Sequence, residues 1–161
     1  MSIIALFVVL LFSVSANTHR VYQAVEGFKA PQMVLRSGSD NLVSLSDFRG
    51  RYVLVNFWTS ADANSRIAAN SYDRFVESMP EEERICLLSV NMDRSERLFR
   101  EIVRRDKLNA KSQFFVNAQQ ASDLVSLFNL SNGVQSLLID PQGVIVATNP
   151  DISAIARVLG A

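Results

Sequence analysis

Residues 51–66 read RYVLVNFWTSADANSR, and within them the periodicity of the chain changes. Arg51 to Trp58 is almost wholly β-branched, aromatic or aliphatic, the composition of a central strand buried on both faces. From about Asp62 the spacing becomes helical: Ala68, Tyr72, Phe75, Val76 and Met79 predict one apolar stripe. Pro80 and the acidic run Glu81-Glu82-Glu83 close that helix. Strand-to-helix junctions often carry the chemistry of α/β proteins. Residues 55–66 nevertheless hold no cysteine, histidine or glycine.

Upstream, Pro31 opens an extended stretch, because a proline drives the preceding residue out of helical geometry. The turn formers Ser37 to Asn41, between QMVL and LVSL, predict a hairpin. Downstream, Ile85 to Met92 reads as a second buried strand. Asp93-x-x-Glu96 then reads as a capping box for a helix with Leu98, Phe99, Ile102 and Val103 on its inner face. Gln113 to Val116 predicts a short strand, and Ala121, Leu124, Val125 and Phe128 line a third helix. Gln135 to Asp140 and Val144 to Thr148 flank Pro141-Gln142-Gly143 as a second hairpin. Ile152, Ile155 and Leu159 mark a closing helix. This order implies an α/β fold: a parallel core made by right-handed crossovers, widened by antiparallel strands into a mixed central β-sheet flanked by helices on both faces.

A chain of 161 residues suits one domain with a proper core, and 48% hydrophobic with 20% charged residues excludes a disordered chain. Sixteen Lys+Arg balance sixteen Asp+Glu, which removes any global electrostatic case for nucleic acid or an anionic membrane. The apolar run Ile3 to Phe12 falls short of the roughly 20 residues that span a bilayer. The small residues Val14-Ser15-Ala16 follow it, so residues 1–16 read as a secretory signal peptide or a retained anchor. Residues 17–30 then form an N-terminal arm, and 31–161 the domain, outside the cytoplasm. Export permits disulfides, but Cys86 is the sole cysteine and lies in the apolar run ICLLSV. It reads as a small buried hydrophobe.

Three stretches carry a family resemblance: LVSLSDFRGRYVLVNFW (42–58), LLIDPQGVIVA (137–147) and the Lys29-Ala30-Pro31 lead-in. Together they resemble the thioredoxin-like superfamily, specifically its TlpA/ResA-like exported thiol–disulfide oxidoreductases, over roughly residues 28–159. The resemblance implies a thioredoxin-like fold with an N-terminal β-hairpin extension. It also implies an active site at the VNFW junction, where an S-W-C-x-x-C-R segment would start the helix. Ser60 and Arg66 match that segment, but Ala61 stands at the tryptophan, and Asp62 and Ser65 stand at the two cysteines. Ala68 and Asn70 stand at the family's glutamate and proline, and Val134 at its cis-proline. A cis bond before a non-proline residue costs ~2.5–4 kcal/mol, so a trans bond is expected there. Exchange needs one thiolate to attack and a second thiol to resolve the mixed disulfide. The resemblance therefore implies a degenerate member that has lost the family's reaction.

Asp62 can act as the N-cap of the helix, accepting from the N–H groups of Asn64 and Ser65, with Ser60 a rival cap. A catalytic cluster of Asp62, Asn64 and Ser65 would need a base: the only histidine, His19, sits beside the expected cleavage site, and nothing in the spacing supports a lysine or carboxylate in that role. Asp62, Asp93 and Asp140 fall near strand ends without clustered ligand spacing, and no metal or cofactor is expected. The basic stretch Arg94 to Lys111, interleaved with Glu96, Glu101 and Asp106, reads as a solvated face laced with i,i+4 pairs, or as a docking surface for an anionic partner. The resemblance implies a peptide groove gathering Trp58, Asp62, Asn64, Ser65 and Val134. The expectation is a redox-inactive binding or assembly module of the bacterial cell envelope, in the periplasm. Its partner would be an envelope protein or peptide and not nucleic acid, with membrane contact only through the N-terminal segment. The alternative is a divergent oxidoreductase that uses Cys86 or a partner's cysteine.

Overall fold

The computed structural model of the chain describes residues 24–37, 41–83 and 85–160. The expectations for the signal peptide, for His19 and for the tip of the first hairpin at 38–40 lie outside the described residues. Five strands form the main sheet in the order β5-β4-β3-β6-β7: β3 (Val53–Trp58), β4 (Cys86–Asn91), β5 (Gln113–Phe115), β6 (Ser136–Ile139) and β7 (Ile145–Thr148). The first three run parallel, while β6 and β7 are antiparallel additions. Every residue of β3 and β4 is buried, as their uninterrupted apolar runs require. A separate two-stranded hairpin, β1 (Val34–Arg36) with β2 (Leu42–Ser44), precedes the sheet.

Alternation along β3 assigns its side chains to two cores. Val53, Val55 and Phe57 pack with Leu124 of α3 (Ala118–Leu127), with Phe128 just beyond it and with Leu35 of the hairpin. Leu54 and Trp58 face the other way. Leu54 meets Tyr72 and Val76 of α1 (Ala63–Ser78) and Ile155 of α4 (Ile152–Leu159). Trp58 meets Ala69 of α1 with Phe99 and Ile102 of α2 (Glu96–Asp106). Helices thus cover both faces of a mixed sheet, as expected. Phe99 and Ile102 of α2 and Leu124 of α3 face inward as expected, whereas Leu98 and Val125, expected beside them, are exposed.

The predicted capping box at Asp93 does not form. Ser95 caps α2 by accepting from the Leu98 N–H at 3.2 Å, because the Asp93 carboxylate is engaged elsewhere. Residues 27–30 run along the outer edge of β7, where the Gly27 and Ala30 N–H groups donate to the carbonyls of Ile145 and Gly143, each at 2.9 Å. That pairing covers a strand edge otherwise open to association. Among the described residues no helix is long and apolar enough to cross a membrane.

Candidate functional site

At the junction of β3 and α1 the chain makes a tight polar knot. Asp62 is the N-cap: its Oδ1 accepts from the Ser65 N–H at 2.9 Å. The Asp62 N–H donates to Thr59 Oγ1 at 3.2 Å, and the Thr59 N–H donates to Ser65 Oγ, also at 3.2 Å. Ser65 is buried, and its hydroxyl reaches the Asp62 carbonyl at 3.1 Å. Ser60, the rival cap, gives its N–H to Asp93 at the end of β4 instead. Asn91 fixes Asp93 in turn, since its Nδ2 donates to Asp93 Oδ2 at 3.0 Å and its Oδ1 accepts from the Asp93 N–H at 3.1 Å. Among the described residues the Ser65 hydroxyl meets only the backbone of Thr59 and Asp62, and the Asp62 carboxylate is turned to the Ser65 N–H. The geometry therefore offers a braced helix start and not an activated nucleophile.

Beside this knot lies an open groove of about 590 Å³. Asp62, Asn64, Ser65 and Val134 all line it, so four of the five expected groove residues come together. Trp58 does not. It is fully buried on the α2 side of the sheet, its ring 6.1 Å from that of Phe99, and it contributes to the core instead. Trp58 shares its face of β3 with Asn56, but there Ala69 of α1 and Phe99 and Ile102 of α2 cover it, while Asn56 and Phe57 reach the groove wall. Val134 precedes β6 with a trans peptide bond, as no cis bond occurs among the described residues. Neither its N–H nor its C=O has a hydrogen-bond partner among those residues.

The groove also contains residues that the sequence did not single out. Asn56 sits at the centre of β3, donating from Nδ2 to Ser89 Oγ at 3.4 Å and accepting from Ser136 Oγ at 3.0 Å. Ser89 and Ser136 are its cross-strand neighbours in β4 and β6, and Gln113 lies opposite Ser89 in β5. A buried polar row therefore crosses four strands beneath α1. Tyr72 donates its hydroxyl to the Pro150 carbonyl at 2.7 Å, and burial pushes its phenol pKa upward, so it remains a donor. Asp151 caps α4, and the Ser153 hydroxyl and Ala154 N–H hold its carboxyl below the usual range. A polar Asn inside VLVNFW was the one local signal available for this set.

Arg66 ties α1 to α2. Its guanidinium grips Asp106 with both oxygens at 2.6 Å, and the Asp106 side chain is only 10% exposed. This contact lowers the Asp106 pKa below the ordinary carboxylate value. Cys86 is buried with its thiol pKa raised, chiefly by desolvation. It pairs with Val53, whereas Trp58 pairs with Asn91, so Cys86 lies at the far end of the strands, about 16 Å from the junction at the usual rise per residue. Asp140 shares that far end, turning the β6–β7 hairpin through bonds from the N–H groups of Gln142 and Val144. Among the described residues no group of three or more His, Cys, Asp and Glu side chains is placed to hold a metal ion.

The AhpC/TSA family profile matches residues 26–148. Among solved structures the chain is 30% identical to a thioredoxin-like protein from Parabacteroides distasonis, over 86% of this chain and 98% of that one, with a TM-score of 0.71. Its fold is also that of a thiol:disulfide interchange protein from a Bacteroides species, at 23% identity over 85% of this chain and 91% of that one, TM-score 0.75. The thioredoxin domain of a thiol-disulfide oxidoreductase from Bacteroides vulgatus is similar too, at 24% identity over 84% and 96%, TM-score 0.72. No curated protein matches the chain. A lone cysteine rules out a Cys-x-x-Cys pair. The chain belongs to the AhpC/TSA family, as a thioredoxin-like member whose active-site motif is degenerate.

Proposed function

We propose that this protein binds an extended peptide or protein segment in the groove beside the start of α1, and that it does so without thiol–disulfide exchange. The observation that carries the reading is the backbone of Val134 on the groove wall, whose N–H and C=O have no partner among the described residues. An extended partner lying there can pair with both its N–H and its C=O, as in strand addition. Asp62 and Ser65 stand where the exchange reaction needs two thiols, and the one thiol in the chain is buried at the other end of the sheet. The leader-like N-terminal sequence extends the reading to an exported protein of the bacterial cell envelope.

Two measurements test it. Insulin reduction by dithiothreitol should run at the rate without protein, and Cys86→Ala should change nothing. A rate above background that disappears with Cys86 would sink the redox-inactive part. A photo-crosslinking residue at Asn64, exposed on the groove wall, should capture a partner whose yield falls when Val134→Pro removes the N–H. Equal capture from Asn64 and from Arg97 on α2 would sink the groove assignment.

A further inference from the structure

A second hollow, of about 940 Å³, lies between α2, β5 and the first turn of α3, away from the groove. Helical spacing divides the charges of α2 into two stripes. Arg97, Glu101 and Arg105 alternate in sign at i,i+4, and Arg105 also reaches Asp106 at 3.6 Å. Glu96, Arg100, Arg104 and Lys107 all line the hollow. Glu96 engages Arg100 at 2.6 Å, and Arg104 and Lys107 have no ion pair among the described residues. Arg100 and Arg104 are like charges one turn apart, an arrangement that weakens a helix unless an anion sits between them. The first turn of α3 at Asn117 and Gln120 also borders the hollow and contains no acidic residue, so its positive end is not neutralised locally.

The floor adds a second, independent observation. Gln113 lines the hollow and is only 4% exposed. Its Nε2 is directed to Asp73 Oδ1 at 3.4 Å and Ser112 Oγ at 3.3 Å. Its Oε1 is buried with no donor among the described residues. Unsatisfied buried acceptors are rare in folded proteins, and one in the wall of a cavity marks where a donor belongs. Phe99 and Phe115, with rings 5.8 Å apart, supply an apolar side.

We propose that this hollow binds a small organic anion, a phosphate or carboxylate, that also carries a hydroxyl group. The anion sits against Arg104 and Lys107, with Arg100 beside it, and the hydroxyl donates to Gln113 Oε1. The size suits a small molecule, since such sites usually run to roughly 300–1,000 Å³.

The test is an amide-resolved titration of the intact protein at low salt with glycerol 3-phosphate, alongside methyl phosphate, glycerol and a hexaglutamate peptide. Glycerol 3-phosphate should give saturable shifts at α2 and at the Gln113 side-chain amide, and should bind more tightly than methyl phosphate. The exposed double substitution Arg104→Gln with Lys107→Gln should weaken it about tenfold or more, the loss expected from two charge-assisted contacts. Arg97→Gln, on the stripe that does not line the hollow, should leave it unchanged. The proposal is overturned by an absence of saturable shifts, by equal affinity in the double variant, or by binding of hexaglutamate alone. Equal affinity for methyl phosphate and glycerol 3-phosphate overturns the assignment of Gln113.

Discussion

Asp93 holds the backbone N–H of Ser60 between its two carboxylate oxygens, at 3.0 and 3.1 Å. The contact joins the end of β4 to the loop that starts α1, across 33 positions of sequence. Asp93→Ala should therefore free the junction, leaving a part-buried N–H without its partner. We expect a loss of about 1–3 kcal/mol in urea unfolding. Hydrogen exchange at Ser60 should accelerate, whereas exchange within β4 should not.

The cap at Asp62 gives a narrower prediction. Asp62→Ala should lower stability by ~0.5–2 kcal/mol, and Asp62→Ser should recover most of that loss because a hydroxyl also accepts from the Ser65 N–H. Denaturant midpoints of the three proteins decide it. Equal midpoints would mean that the Ser65 hydroxyl and Thr59 hold the helix start unaided.

Restoring sulfur tests the junction from the opposite side. In the double variant Asp62→Cys with Ser65→Cys, the first thiol would occupy a helix N-terminus, where unpaired N–H groups favour a thiolate. That variant should form an intramolecular disulfide and gain insulin-reducing activity above the parent's rate. Mass measurement after alkylation reads the disulfide directly. If no disulfide forms, the backbone here has diverged as far as the side chains.

The Arg66–Asp106 pair sets a pH dependence. The folded pKa of Asp106 is depressed, so its stabilisation is present above the unfolded carboxylate value of about 4 and is lost as pH falls through the lower folded value. Unfolding free energy measured from pH 7 down to 2 should fall in that window. Asp106→Asn should be less stable at neutral pH and should fall less steeply. Identical slopes would show that the pair contributes nothing.

What the sequence made legible, and what it hid, follows from the range of each interaction. Arg51 to Trp58 could be read as a buried strand because its burial leaves a mark on every residue. The helix stripes were readable for the same reason, through Tyr72 and Val76 or Phe99 and Ile102. Asp93 was misread because a cap is a local pattern, and its real partner, the Ser60 N–H, comes from the loop between β3 and α1. Trp58 was placed in the groove by its family position, whereas Ala69 of α1 and Phe99 and Ile102 of α2, distant in sequence, close over it. Tyr72 and Pro150, 78 positions apart, met only through the packing of α1 beside α4. Nothing nearby in the chain announces such a contact.

The polar row through Ser136, Asn56, Ser89 and Gln113 has a consequence for folding accuracy. Strands as uniformly apolar as VLVNFW and CLLSVN can mate in several alignments with similar burial. A slip of one residue in β3 would turn Asn56 into the layer of Phe128 and Leu124, its amide stranded among hydrocarbons at about 1–3 kcal/mol per lost polar partner. A slip of two would keep it on the correct face but, in one direction, set it opposite Leu138 and Leu87 in place of the two serines, and in the other replace Ser136 by Val134. The row thus works as a key cut into otherwise interchangeable strands, admitting one alignment and penalising its neighbours.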